Sequence, residues 1–270
     1  MMVSLALDSA ALAETYDRVS DRQFNHGKLL IEDLQVSPGE RVLDVGCGTG
    51  RLGAHVAELV GPSGEVVGVD PLPLRVALAN SKHGSSFRAA VGRAEDLSQF
   101  ADGSFDVVFL NSVLHWLPEK LGPLREARRV LKRGAQGGRL GISSAAKERP
   151  HDVERVLEDV LSSLGLNGTA EASGSTPHKV TSDELTSLLV QAGFPQPKLQ
   201  IRTFTDHFTD TDDVMAFNLA SSFGNFLSNF APADAERVRA ALEAELERRR
   251  APEGIRLQRH LIFAVARADG

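Results

Sequence analysis

The stretch Val42-Leu43-Asp44-Val45-Gly46-Cys47-Gly48-Thr49-Gly50 decides how the remainder of the chain is read. Residues with strand character run into three glycines at alternate positions, and a helix-like segment follows from Arg51. Glycines permit a tight strand-to-helix turn and let a ligand approach backbone that a Cβ would shield. The helix start then offers unpaired N–H groups to that ligand. This much fits any nucleotide-binding crossover. Asp44 narrows the choice, because a carboxylate so close to the first glycine repels a pyrophosphate and suits a ligand that carries positive charge.

Outward from this turn, strand-like and helix-like segments alternate. Glu65 to Val69, Phe87 to Val91, Phe105 to Leu110 and Arg139 to Ser143 read as further strands. Arg51 to Val60, Pro73 to Asn80 and Leu121 to Leu131 read as the helices between them. That rhythm predicts an α/β fold with a doubly wound, mostly parallel sheet and right-handed crossovers. Ligands in such sheets lie at the carboxyl ends of the strands, which puts Gly46, Asp70, Arg93 to Asp96 and Asn111 on one rim.

Upstream, Ala10 to Val19 and Phe24 to Leu34 carry helical spacing. Downstream, His151 to Leu164, Ser182 to Gln191 (capped by Ser182), Asp210 to Phe230 and Ala233 to Arg250 read as helices. Lys198 to Phe204 and Arg256 to Ala266 read as strands, which brings the sheet to seven. Asn167 to Lys179 is rich in Gly, Ser and Thr and reads as a mobile loop. Residues 1–36 are expected to form N-terminal helices covering the site, 37–145 the ligand-binding core, and 146–270 a helical lid with the last strands.

Composition bounds the partners. The 270 residues carry a formal net charge of −6, with 42% hydrophobic and 24% charged residues, as in an ordinary globular protein. The acidic balance gives no reason to expect a nucleic-acid partner. With one cysteine, Cys47, the chain makes no internal disulfide and no multi-cysteine metal site. Met1 to Ala13 lacks a basic start and reads as a helix rather than a signal peptide. No run approaches the roughly 18 apolar residues of a membrane span. A cytoplasmic protein is expected.

Asp44 to Gly50 resembles the acidic-x-Gly-x-Gly-x-Gly motif of class I S-adenosylmethionine (SAM)-dependent methyltransferases. Gly103 to Val108, Asn111 to Leu117 and Arg129 to Lys132 also look like that family, in particular its small-molecule branch with the ubiquinone and menaquinone biosynthesis enzymes. The likeness spans roughly Tyr16 to Ser144. The family's Lys-Pro-Gly-Gly turn is replaced by the longer Lys132 to Gly138. The resemblance implies a Rossmann-like methyltransferase fold with SAM as cofactor. It places the methionine end of SAM at Asp44, Gly46, Cys47, Gly48 and Gly50, with the Asn111 carbonyl on its ammonium. Asp70 would take the ribose hydroxyls, Pro71 and Leu72 would face the adenine, and Ala94 with Glu95 or Asp96 would read its edge. Tyr16 would fold over the cofactor.

His115 is the candidate general base for a hydroxyl acceptor, an imidazole titrating in the useful range. His26 and His207 are weaker alternatives. No metal is expected, since Asn111-Ser112 supplies no carboxylate where the metal-dependent catechol enzymes have one. Arsenite methyltransferases need several cysteines, which this chain lacks. Phe223, Phe226, Leu227 and Phe230 fall at i, i+3, i+4 and i+7 of a predicted helix. That face would either pack on the sheet or a second subunit, giving a homo-oligomer, or cap a pocket for an aromatic, prenylated or polyketide-like small molecule of secondary metabolism. Two other readings stay open: a nicotinamide-dependent oxidoreductase, since Asp70 serves either cofactor, and a catalytically silent SAM-binding protein.

Overall fold

The protein is described from a computed structural model covering residues 4–134, 137–166 and 177–268. Strands β1 (Arg41–Val45), β2 (Glu65–Asp70), β3 (Arg88–Val91), β4 (Val107–Asn111) and β5 (Arg139–Ala145) form a parallel sheet in the order β3-β2-β1-β4-β5. The long β8 (Gly254–Arg267) pairs antiparallel with β5, and β6 (Lys198–Phe208) antiparallel with β8. The expected seven strands are all present. A two-residue β7 (Arg250–Ala251) adds to the edge of β8.

Helices α1 (Ala10–Val19), α2 (Asp21–Leu34), α3 (Arg51–Val60), α4 (Pro73–His83) and α5 (Leu121–Val130) accompany the parallel half. The second half supplies α6 (Asp152–Ser163), α7 (Ser182–Gln191), α8 (Thr211–Ser221) and α9 (Pro232–Glu247). The central strands are buried on both faces, as β4 shows with Val107, Val108, Phe109 and Leu110 all at or below 1% exposure. One face packs on α5 and α7 through Leu124, Val130, Leu185 and Leu189, the other on α2 and α3 through Leu30, Leu34, Leu52 and Val56. Two smaller apolar clusters lie beneath α6, α8 and α9.

Two expectations are corrected. Helix α7 is capped by Thr181, not Ser182: Thr181 Oγ1 accepts from the Glu184 N–H at 3.1 Å, and Glu184 Oε2 accepts from the Thr181 N–H at 2.7 Å, a reciprocal capping box. The predicted helix Asp210 to Phe230 ends at Ser221. Phe223, Gly224 and Leu227 have φ of 44°, 88° and 61°, which no α-helix contains. The Ser222 hydroxyl accepts from the Phe226 N–H at 2.9 Å while donating to the Asn218 carbonyl at 2.8 Å, replacing helical bonding with a local turn. The mobile loop expected over Asn167 to Lys179 falls mostly outside the described residues.

Candidate active site

The glycine turn leaves β1 in the conformation its sequence demands. Gly46, Gly48 and Gly50 have φ of 80°, 54° and 82°, a region open to glycine at no steric cost. A Cβ on Gly46 would stand 2.2 Å from Val113 Cγ2, so this glycine is required by a close approach as well as by its backbone. The Gly46 and Cys47 N–H groups donate to the Val69 carbonyl at 2.7 and 3.1 Å, tying the turn to the end of β2.

Asp70 completes that tie. One oxygen accepts from the Gly48 N–H at 2.8 Å and the other from the Leu72 N–H at 2.9 Å. Each oxygen keeps a lone pair for a ligand hydroxyl. Burial raises the Asp70 pKa, against the lowering effect of those two N–H bonds. Asp44, in the middle of the sheet between Gly68 and Phe109, is 2% exposed. Burial, then the nearby Asp70 charge, pushes its pKa well above the usual carboxylate range. It lines a small recess with Tyr16, Gly46, Cys47, Thr49 and Asn111. Two buried acids at one turn, with no ion pair to either among the described residues and only the Arg75 positive charge acting on Asp70, make a site that gains by receiving a cation.

The expected residues converge on one cleft. Tyr16, Gly46, Gly48, Asp70, Pro71, Leu72, Ala94, Glu95 and Asn111 line a space of about 130 Å³ at the strand ends, while Asp44 and Cys47 face the adjoining recess. Glu95, not Asp96, lines the cleft; Asp96 is exposed and accepts from the Ser98 N–H at 3.0 Å within its own turn. Gly50 stands apart as the residue preceding α3, where a Cβ would meet Ala79 at 2.9 Å and Phe87 at 3.0 Å. Its role is to close the turn. The Cys47 thiol is buried and its pKa is driven well up by that burial, so it is a filler of the loop. The Asn111 side chain is fully engaged, donating to the Gln23 carbonyl at 3.2 Å and accepting from the Ser143 hydroxyl at 2.6 Å.

Several residues of the site carried no signal in the sequence. Leu5 lines the cleft beside Phe223, which the sequence did single out as an aromatic of the pocket-capping face. Beneath them Arg75, 4% exposed, holds Asp8 at 3.1 Å, donates to the Ala220 carbonyl at 2.8 Å and lies 4.4 Å from the Tyr16 ring centroid. Asn225 fastens the N-terminal segment to the C-terminal lobe, accepting from the Ser4 N–H at 3.0 Å and donating to the Ser4 carbonyl at 2.9 Å. At 130 Å³ the cleft is tighter than the roughly 300 Å³ lower bound of drug-sized sites.

A second cavity of about 620 Å³ opens from the first. Tyr16, Ser112, Trp116 and Ser221 line both. Its walls are apolar where Leu157, Leu161, Phe217, Phe226, Leu227 and Phe230 meet, and polar around His115, His151, Glu154 and Lys179. The Phe-rich segment thus lines a cavity, although as a broken turn and not as one helical stripe.

His115 sits in a short 3-10 turn, Leu114–Trp116, at 8% exposure. Its Nδ1 accepts from the Ala145 N–H at 3.3 Å, which leaves the hydrogen on Nε2. Burial, then the charges of His151 and Lys179, lowers its pKa to about 3. A neutral imidazole with Nε2–H is a donor to the cavity, and the geometry gives base catalysis there no support. His26 is buried in α2, and His207 is exposed on β6 away from both cavities.

Comparison with known proteins agrees with this geometry. Residues 36–193 match a family described as "Methyltransferase domain". The chain is 37% identical over 167 residues to an arsenite methyltransferase of Aquipseudomonas alcaligenes, covering 58% of this chain and 46% of that protein. It is 31% identical over 208 residues to a demethylmenaquinone methyltransferase of Staphylococcus haemolyticus, covering 72% of this chain and 86% of that protein. The chain spans about half the length of the first curated relatives it matches, 46% and 45%. The solved structure of the YcgJ protein of Bacillus subtilis superposes with a TM-score of 0.61 at 20% identity, covering 91% of this chain and 99% of that one. At that identity it speaks for the fold.

Proposed function

Because the chain belongs to the methyltransferase-domain family, we propose that it transfers the methyl group of SAM to a small, largely apolar molecule held in the 620 Å³ cavity. The observation that carries this reading is the buried pair Asp44 and Asp70 beside a glycine turn whose cleft opens, at Ser112 and Trp116, into a largely apolar cavity. Bound in the cleft, SAM supplies an electrophilic methyl group on a cationic sulfonium. Asp44 receives the positive end of that ligand, Asp70 takes ribose hydroxyls with its spare lone pairs, and Ala94 and Glu95 face the base. Leu5, Phe223 and Tyr16 exclude water from the reacting atoms. The remaining work is alignment of an acceptor at the junction, a contribution that needs no base when the acceptor is already nucleophilic.

The single cysteine, buried inside the glycine loop, argues against carrying arsenite over from that relative. The mixed polar and apolar lining favours an aromatic or prenylated metabolite with one polar group. Calorimetric titration with S-adenosylhomocysteine tests the cofactor half, with micromolar binding expected and its absence rejecting the reading. Production of S-adenosylhomocysteine across a panel of phenols, quinols and prenylated aromatics tests the acceptor half. Bound cofactor without turnover on any of them would favour a silent binding protein.

A further inference from the structure

Ser112 stands where the two cavities meet, and its backbone is held at φ 61°. Among the described residues only three others without glycine's freedom share that region, and two of them, Phe223 and Leu227, also line the cavities. A strained residue at such a place points to a function that the surrounding structure enforces. The Ser112 side chain is the end of a buried chain of groups. Arg259, 9% exposed, pairs through Nη2 with Asp206 Oδ1 at 3.1 Å. Its Nη1 lies 3.3 Å from His26 Nδ1, and His26 Nε2 lies 3.1 Å from Ser112 Oγ. His26 itself is 1% exposed.

The direction of every hydrogen in this chain follows from its first member. A guanidinium only donates, so where Arg259 bonds His26 the Nδ1 accepts and the ring hydrogen is on Nε2; the Arg22 carbonyl and the Asn111 amide also act on this ring. Nε2–H then donates to Ser112 Oγ. The Ser112 hydroxyl hydrogen is left to point elsewhere, the His26 contact being the only hydrogen bond of that hydroxyl among the described residues. The chain therefore ends in a donor on a residue that lines both cavities.

We infer that Ser112 donates this hydrogen to the acidic oxygen of a phenol- or enol-type methyl acceptor, with Asp206, Arg259 and His26 as the residues that position it. This rests on the proposed methyltransferase reading and adds the acceptor class to it. The acceptor O–H loses its proton to bulk water on binding. The oxygen lone pair then forms the bond to the methyl carbon while the electron pair of the broken S–CH₃ bond stays on sulfur. The products are the methyl ether and S-adenosylhomocysteine. The cavity's other titratable groups are Tyr16, whose pKa burial raises, and Arg259, His115, His151, Glu154, Glu158 and Lys179. Lys179 is held by Glu154 at 2.5 Å and Arg259 by Asp206; Tyr16, Trp116 and Ser221 share the junction, and Ser112 is set apart from them by its positive φ and by the buried groups behind its hydroxyl.

Trp116 is the chain's single tryptophan and lines both cavities, so its fluorescence reports their occupancy. The test uses the full chain saturated with S-adenosylhomocysteine and two quenching probes, 4-nitrophenol and nitrobenzene, which differ only in the acidic oxygen. In the wild type, 4-nitrophenol is expected to bind about tenfold or more tighter than nitrobenzene, as one hydrogen bond to a charged group allows, and its visible anion band is expected to appear at lower pH than in water. Ser112→Gly removes the hydroxyl and relieves the backbone, and Ser112→Ala removes the hydroxyl while keeping the Cβ. Both should abolish the preference and the shifted ionisation while nitrobenzene binding stays within about twofold. Equal weakening of the two probes, an unchanged preference, or no 4-nitrophenol binding each overturns the inference. Weaker S-adenosylhomocysteine binding with the probe preference intact also overturns it, by assigning the donor to the cofactor carboxylate. Nitrobenzene and S-adenosylhomocysteine binding, measured separately, report whether the methyltransferase reading falls with it.

Discussion

The two cavities that meet at Ser112 and Trp116 are built in opposite ways. The cofactor cleft takes most of its lining from the ends of β1, β2 and β4 and from the loop after β3, one short segment after each strand. Backbone groups do much of its work: the Gly48 and Leu72 N–H groups are fixed by Asp70, and the Gly46 N–H by Val69. The larger cavity is enclosed by α2, β5, α6, α8, the broken segment after it and β8, elements far apart in the chain. Its surfaces are side chains. A site made of strand ends is dictated by the topology of the sheet; a site made of side chains from distant elements is dictated by packing.

The largest expected effect is on the first. Gly46→Ala places a Cβ 2.2 Å from Val113 Cγ2 on a residue with φ of 80°. Left-handed backbone costs a non-glycine residue roughly 1–2 kcal/mol before any clash. The turn must then shift away from Asp70, so S-adenosylhomocysteine affinity should fall a hundredfold or more by calorimetry. Binding retained within tenfold would mean that the turn is not the cofactor cradle.

Asp44→Asn should separate binding from stability. Burial and Asp70 raise the Asp44 pKa, so its charge is a burden to the ligand-free protein. A folded carboxyl with a raised pKa loses stability as pH climbs from its unfolded value through its folded one. At neutral pH the amide should therefore melt higher than the wild type without ligand, yet bind SAM about ten- to a hundredfold more weakly. A lower melting temperature together with unchanged affinity would remove Asp44 from the site.

The same contrast explains what the sequence made legible. Asp44, Gly46, Asp70, Ala94, Glu95 and Asn111 lie at set steps after strands that their own apolar runs announce, so their convergence could be read from order alone. Gly50 shares the glycine spacing of the cofactor set, but its neighbours are Ala79 and Phe87. Arg75, Asp8 and the chain from Asp206 to Ser112 have no local signature; only the fold brings residues 26, 112, 206 and 259 together. The Phe223 to Phe230 segment has helical spacing, but Gly224 and Asn225, two residues that favour turns, break it. Here Gly224 packs against Leu7, where a Cβ would lie 2.9 Å from the carbonyl oxygen.

A tenfold effect is expected in the second cavity alone. Phe230 is half-buried, packs in the cluster with Val160, Leu161 and Val238, and lines the cavity wall. Truncating it to alanine removes apolar contact worth about 1.5–3 kcal/mol when fully made, of which a half-buried ring supplies part. Nitrobenzene quenching of Trp116 should weaken about tenfold, with S-adenosylhomocysteine affinity within twofold. Equal losses for both ligands would join the two cavities into one energetic unit and dissolve the contrast.

The smallest effect should come from His115, although it borders the reactive space. With Nδ1 occupied by the Ala145 N–H and its pKa at about 3, the imidazole does not change charge between pH 5 and 8. Gln at this position can still accept from the Ala145 N–H. His115→Gln should lower kcat by less than about threefold and leave the shape of the kcat–pH profile unchanged. The substitution should instead appear in stability. A histidine whose folded pKa lies below its unfolded value of about 6.5 leaves the unfolded chain binding more protons, so stability is lost as pH falls from about 6.5 toward about 3. His151, also near 3, acts in the same direction. The wild type should therefore lose more melting temperature between pH 7 and pH 5 than His115→Gln does. A lost limb of the kcat–pH profile would return His115 to the role of base, and an unchanged melting difference would show that its ring is not held neutral by burial.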